Sequence, residues 1–150
     1  MNLIVGASGY IGGRLLKQFD EKEKSVGTYF RNQKEGLVYL DLENPDLSRL
    51  GINPEEVKYG FVCSATSRID ECKKDEKRAY RINVIGIKKL LQQFSHYGIM
   101  PIFFSSDFVF DGKRGNYKEE DERNPCTVYG RHKKDIEDFL INGNNKFLII

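Results

Sequence analysis

The sequence predicts an α/β fold: a doubly wound parallel sheet of about six strands with helices on both faces. Three observations carry this. Short apolar runs alternate with amphipathic helical stretches from the first residue to the last, as parallel strands with right-handed crossovers require. The opening run, Asn2-Leu3-Ile4-Val5, reads as a strand buried on both faces. A glycine-rich loop follows it and opens a helical period. A length of 150 residues suits one domain.

The elements follow in order. Ile11, Leu15, Leu16 and Phe19 recur at helical spacing, which predicts a helix from about Tyr10 to Phe19. Ser25 to Phe30, rich in β-branched and aromatic residues, is the second strand. Gly36 to Leu40 is a weak third, and Tyr59 to Ala65 the fourth. The strongest helix spans about Arg78 to Ser95, with Ile82, Ile85, Leu90, Leu91 and Phe94 on its buried side and Gly98 as its stop. Pro101 to Ser105 is the fifth strand, Tyr129 to Leu140 another helix, and Lys146 to Ile150 the sixth strand. Asp111 to Pro125 is polar and rich in turn formers, a long surface loop of the kind that often serves function.

Composition excludes several classes. Lysines and arginines number 24 against 22 acids, for a net charge of +2. No basic stripe with interleaved aromatics appears, so nucleic acid is a poor partner. The charge run at 73–78 reads as a solvated helix start. Cys63, Cys72 and Cys126 show no metal-ligand or disulfide spacing, so no metal is expected and the thiols read as reduced. No apolar run nears the roughly 20 residues of a membrane span, and no signal peptide is visible. A cytoplasmic location is expected. His96 and His132 are read as surface or packing residues.

The loop Gly6-Ala7-Ser8-Gly9-Tyr10-Ile11-Gly12 has glycines at every third position. A pyrophosphate-binding turn needs them: the chain must bend sharply, the backbone must approach the phosphates without Cβ atoms, and the helix must pack close to the strand. The anion then rests on amides at the helix's positive end. The domain is therefore expected to be a Rossmann fold binding a dinucleotide through Gly6, Ser8, Gly9, Tyr10, Ile11 and Gly12. An acid ending the second strand would bind the ribose of NAD, and a base the extra phosphate of NADP. This chain has Thr28-Tyr29-Phe30-Arg31, then Lys34, whereas Asp20, Glu21 and Glu23 precede the strand. NADPH is the expected cofactor, with Arg31 as phosphate ligand and NADH as the alternative. The competing reading of Arg31 is a solvated loop residue. Asp41, with Leu42 beside it, is placed to accept from the adenine amino group.

Tyr129 and Lys133 form a Tyr-x-x-x-Lys pair, one helical turn apart on one face. A nearby ammonium favours the phenolate and lowers the tyrosine pKa, so the tyrosine can exchange a proton with a carbonyl oxygen. With eight tyrosines, about one such pair is expected by chance, so order matters more than occurrence. Here the phosphate loop comes first, Ser105-Ser106-Asp107 ends the fifth strand, and the Tyr/Lys helix follows. Ligands of open parallel sheets bind at those strand ends.

On these residues the sequence resembles the extended short-chain dehydrogenase/reductase family, and within it the dTDP-4-dehydrorhamnose reductase branch. The segments Gly6–Gly12, Cys63–Cys72, Phe104–Gly112 and Asn124–Lys133 carry the likeness, along with Asn83-Val84-Ile85-Gly86. The resemblance implies Ser106, Tyr129 and Lys133 as catalytic residues. It implies Ser64, Ala65 and Thr66 along the cofactor's phosphate and ribose path, and Asn83 supporting the lysine. It places Asp70, Ser106, Asp107 and Phe108 at a sugar-nucleotide substrate. Phe108 stands where the branch has tyrosine, Lys73 where it often has an acid, and Cys126 where it is usually aliphatic. Residues 1–150 would be the NAD(P)-binding domain, with the family's C-terminal substrate-binding region absent and the end at Ile150 a truncation. The implied activity is NADPH-dependent reduction of a 4-keto-6-deoxy nucleotide sugar, doubtful in this chain alone. The alternatives are an NAD-dependent nucleotide-sugar epimerase or dehydratase, and a non-catalytic subunit that binds dinucleotide and a partner enzyme. A homodimer is compatible with either.

Overall fold

The computed structural model describes residues 1–20 and 23–150. Of the acids read before the second strand, Glu21 and the side chain of Asp20 lie outside the described residues. Six strands form one parallel sheet: β1 (Asn2–Val5), β2 (Ser25–Tyr29), β3 (Val38–Tyr39), β4 (Tyr59–Val62), β5 (Met100–Phe103) and β6 (Leu148–Ile149). Their order is β3-β2-β1-β4-β5-β6. The chain leaves β1 toward β2 on one side and returns to β4 on the other, so a crevice opens at the carboxyl ends of β1 and β4.

The strands are shorter than their apolar runs. Cys63 N still donates to Val5 O at 3.0 Å, and then Ser64 to Thr66 turn away from the ladder. Beyond β6, Ile150 N donates to Phe103 O at 2.9 Å and Ser105 N to Ile150 O at 2.7 Å. These bonds anchor the turn that follows β5.

Both sheet faces are covered because side chains alternate along β1. Ile4 joins Phe61 and Ile102 under Leu15, Leu16 and Phe19 of helix α1 (Tyr10–Asp20). Leu3, Val5, Val62 and Phe103 face the other way, into a core with Ile82, Ile87, Leu90, Phe94, Ile136 and Leu140. Helix α5 (Val128–Ile141), capped by Thr127 Oγ1 accepting from Gly130 N at 2.9 Å, closes that side.

The expected helix from Arg78 to Ser95 is composite. Helix α2 (Ile69–Lys74), not anticipated, precedes it. Helix α3 (Glu76–Tyr80) starts where Asp75 accepts from Arg78 N at 2.9 Å, so the charge run straddles a helix junction. A π-helical stretch (Arg81–Gly86) leads into α4 (Ile87–His96). The wider π turn rotates the inward face toward Ile82, Val84 and Gly86. Ile85, expected inside, is exposed for that reason. Gly86 packs against the loop after β3 so closely that a Cβ there would lie 1.8 Å from Leu42 O.

The polar loop before α5 is held by its own side chains. Tyr117 stacks on Phe110 with ring centroids 4.5 Å apart and donates to Asp111, and Arg114 pairs with Asp121. No helix among the described residues is long and apolar enough to cross a membrane.

Candidate active site

A cleft of about 470 Å³ lies at the crevice above β1 and β4. The glycine loop forms its floor. Gly6 has φ +88°, in the left-handed region, and a Cβ there would meet Ser64 Cβ at 2.7 Å. Its amide donates to Thr28 Oγ1 at 3.2 Å. Gly9 N donates to Gly6 O at 3.0 Å, closing the turn, and a Cβ on Gly12 would lie 2.5 Å from that same oxygen. Side chains at these positions would fill the cradle. The first turn of α1 gives Tyr10, Ile11 and Gly12 amides with no acceptor inside the helix. Ser8, Tyr10 and Ile11 line the cleft, the latter two as exposed side chains on its rim.

Arg31 and Leu42 line the adjoining lip. Arg31 is exposed, with its guanidinium over Phe30, 5.8 Å from the ring centroid, and 3.9 Å from Glu71 of α2. Lys34 Nζ donates to Ser8 O at 2.7 Å, tying the loop after β2 to the glycine turn. Asp41 Oδ1 accepts from Glu43 N at 2.8 Å. Glu23, by contrast, accepts from Asn2 Nδ2 at 3.0 Å, at the amino end of β1.

Ser64, Ala65 and Thr66 form the far wall. Asn83 does not reach the lysine as expected. Its Oδ1 accepts from Thr66 N at 2.7 Å and its Nδ2 donates to Thr66 O at 2.9 Å, which fixes the wall instead. The reason is direction: the π turn presents Asn83 to the loop after β4. Behind it, buried His132 places Nδ1 3.4 Å from Asn83 Nδ2 and packs edge-on against Tyr80. His132 is a packing residue.

Tyr129 and Lys133 rise from α5 into the same cleft, and both are buried. Lys133 Nζ donates to Phe104 O and lies 4.4 Å from the Phe103 ring centroid and 5.6 Å from that of Tyr129. Burial brings the Lys133 ammonium down to about 8, and the nearby Cys63 and Glu137 side chains oppose that shift. Burial pushes the Cys63 thiol up to about 12. The tyrosine corrects a sequence expectation: burial first, then Cys72 and Asp107, moves the Tyr129 phenol upward, not down. Loss of water on burial is the leading cause and outweighs any help from the nearby lysine.

The turn after β5 divides its residues between two cavities. Ser105 lines the cleft, whereas Ser106 and Asp107 line a neighbouring cavity of about 930 Å³ that Ser105 also borders. Ser106 Oγ accepts from Phe108 N at 3.2 Å and donates to Asp107 Oδ1 at 3.1 Å, capping the short turn Asp107–Val109. Phe108 meets Tyr129 edge-on, with centroids 6.1 Å apart. Asp70 lies outside both cavities, exposed and paired with Arg68 at 3.1 Å. Sequence reasoning missed Glu71, Cys63 and Glu137 at or beside this site. For Glu137 a signal existed, because it follows Lys133 by one helical turn.

The profile of the RmlD substrate binding domain matches residues 1–150. Methionine adenosyltransferase 2 subunit beta of Bos taurus is 29% identical over 143 residues, covering 95% of this chain and 43% of that protein. A crystal structure of a hypothetical dTDP-4-dehydrorhamnose reductase from Sulfolobus tokodaii superposes with a TM-score of 0.83 at 27% identity, over 99% of this chain and 55% of that one. A dTDP-4-dehydrorhamnose reductase from Bacillus anthracis, in complex with NADP, gives 0.79 at 25% identity, over 99% and 52%. The chain spans about half the length of these relatives.

Proposed function

The chain belongs to the RmlD substrate binding domain family, and from that premise we propose that residues 1–150 are the NAD(P)-binding domain of a reductase acting on a 4-keto-6-deoxy nucleotide sugar. One observation carries the reading: the glycine cradle and the Tyr129–Lys133 face of α5 share a single cleft.

In this reading Gly6, Ser8, Gly9 and Gly12 hold the diphosphate, with the first amides of α1 directed at it. Arg31 takes the 2′-phosphate of NADPH, and Lys34 adds positive charge beside it. Asp41 has one carboxylate oxygen left for the adenine amino group, and Leu42 packs beside it. Ser64, Ala65 and Thr66, fixed by Asn83, line the ribose path. The NADP complex of the Bacillus anthracis relative supports the choice of cofactor. When bound, the dinucleotide supplies hydride to the ketone carbon.

Tyr129 then gives its phenolic proton to the resulting oxygen, and Lys133 holds the nicotinamide ribose. Burial keeps the Tyr129 phenol in its protonated form at neutral pH, so the proton is in place to be given. A hydroxyl after β5 steadies the same oxygen. The resemblance favours Ser106 in that role and its position in the cleft favours Ser105. Asp107 and Phe108 face the sugar side, with Asp70 farther out. The family's substrate-binding region would complete the sugar site, so turnover by residues 1–150 alone is expected to be slow.

Fluorescence titration tests the first step. NADPH is expected to bind the chain, and Gly12→Ala is expected to weaken it at least tenfold, because the new Cβ must displace Gly6 O. NADPH consumption with a 4-keto-6-deoxy nucleotide sugar tests the second. Tyr129→Phe is expected to lower turnover by about a hundredfold or more while leaving NADPH affinity within about twofold. Equal turnover by the two proteins would remove Tyr129 from the chemistry.

A second reading has a specific support. One relative is a beta subunit of methionine adenosyltransferase 2, which favours a dinucleotide-binding subunit of a partner enzyme. NADPH binding with no turnover on any 4-keto sugar nucleotide, even with the substrate-binding region supplied, would select it.

A further inference from the structure

Glu137 has no place in the scheme above, yet it is a buried acid beside the site. It lies one turn beyond Lys133 on α5 and is 7% exposed. A buried carboxylate persists where it is paired and hydrogen-bonded, and this one is both. It accepts from Ser105 Oγ, and from Arg123 Nη1 at 2.8 Å. Arg123 comes from the polar loop before α5, and its Nη2 also donates to Asp138 Oδ1 at 2.6 Å.

These contacts lie beside Lys133, which is anchored at the same turn after β5. From β5 and its turn, Phe104 O accepts from Lys133 Nζ, while the next residue, Ser105, is held by Glu137. Among the described residues, the titratable groups facing the lysine are Cys63 beyond β4, Tyr129 on its own helix, and Glu137. The Cys63 thiol, driven up by burial, is neutral at physiological pH. Glu137, one helical turn from Lys133 on α5, is therefore the carboxylate beside the Lys133 ammonium among the described residues.

We propose that Glu137 is a positioning residue of this site: it pins Ser105 at the end of β5 and supplies the counter-charge to Lys133, with Arg123 setting how much of that charge the lysine feels. The proposal deepens the reading above and rests on it for the role of Lys133 at the cofactor.

The test follows the Lys133 ε-carbon by NMR in ¹³C-lysine-labelled protein across pH, without cofactor. The wild-type midpoint is expected at about 8. Glu137→Gln keeps an acceptor for Ser105 and removes the charge, so the midpoint is expected to fall by about one pH unit. Arg123→Met frees the carboxylate from its competing partner, so the midpoint is expected to rise. Glu137→Asp is expected to lie between wild type and Glu137→Gln. A purely structural role would not produce shifts of opposite sign.

Midpoints unchanged in both Glu137→Gln and Arg123→Met would overturn the proposal. If one variant fails to fold by circular dichroism, the other and Glu137→Asp still decide it. The titration needs no dinucleotide, so failure of wild-type protein to bind NADPH would sink the proposed function and leave the coupling of Glu137 to Lys133 measurable.

Discussion

Gly86→Ala is expected to lower the stability of the chain by about 3 kcal/mol, at the high end for an overpacked site. The Cβ would sit 1.8 Å from Leu42 O and 3.2 Å from Arg81 O. Both neighbours are backbone, so no flexible side chain can swing aside. Relief requires moving either the π-helical stretch or the loop after β3, and each is packed into the main core through Ile82, Val84, Leu40 and Leu42. Such a loss is a large share of the roughly 5–15 kcal/mol that holds a domain together. Urea denaturation followed by circular dichroism measures it. Gly36→Ala is the contrast, since nothing lies within 4 Å of the added Cβ and φ is +76°. That variant is expected to cost about 1–2 kcal/mol, the strain of the left-handed backbone by itself. If the two variants lost equal stability, close packing at Gly86 would not be the cause. A further consequence concerns the cleft. Leu42 lines it, so any Gly86→Ala protein that folds is expected to bind dinucleotide less tightly.

Lys133→Met is expected to do the opposite to stability while removing a cofactor contact. The folded lysine titrates at about 8 against an ordinary 10.5. Between those values the unfolded chain holds more protons than the folded one, so wild-type stability rises with pH across that window. Below pH 8 the full penalty of burying the ammonium is present, about 3 kcal/mol. Methionine fills similar space without the charge, although Phe104 O loses a donor worth about 1 kcal/mol. The net expectation at pH 7 is a gain of about 2 kcal/mol, turning above pH 10.5 into a loss of about 1 kcal/mol from the donor that Phe104 O then lacks. Denaturation of both proteins at pH 7 and at pH 10.5 checks the sign and the window. NADPH affinity is expected to fall at least tenfold in the same variant. A protein that became less stable at pH 7 would mean that the buried charge is better compensated than its surroundings indicate. A residue that costs stability where it sits in a cleft is the pattern expected of a functional group.

Much of this molecule is legible in the chain itself. Val5, Gly6, Gly9 and Gly12 announce a strand, a sharp bend and a close-packed helix, and α1 ends within a residue of its expected limit. The alternation of elements implies a parallel sheet, and the six strands occur where apolar runs were read. The Tyr129–Lys133 pairing is a matter of helical spacing and needs no fold to be seen. Other features were not legible. Ile85 looks like a core residue by period and lies outside because a π turn shifts the face. Asn83 was assigned to the lysine and instead braces Thr66. Ser106 was read as the hydroxyl of the site, yet of the two serines only Ser105 lines the cleft, and both border the neighbouring cavity.

The chain by itself therefore determined what depends on neighbours a few residues away: periods, bends, caps and the order of strands and helices. Tertiary structure decided what depends on distant neighbours. It buried Lys133 against Phe103 and Phe104, raised Tyr129 where a fall was expected, and brought Glu71 to Arg31 and Arg123 to Glu137. The physical reason is that a side chain's charge and proton affinity follow from the water it loses and the partners it meets, and neither is written within one turn of helix.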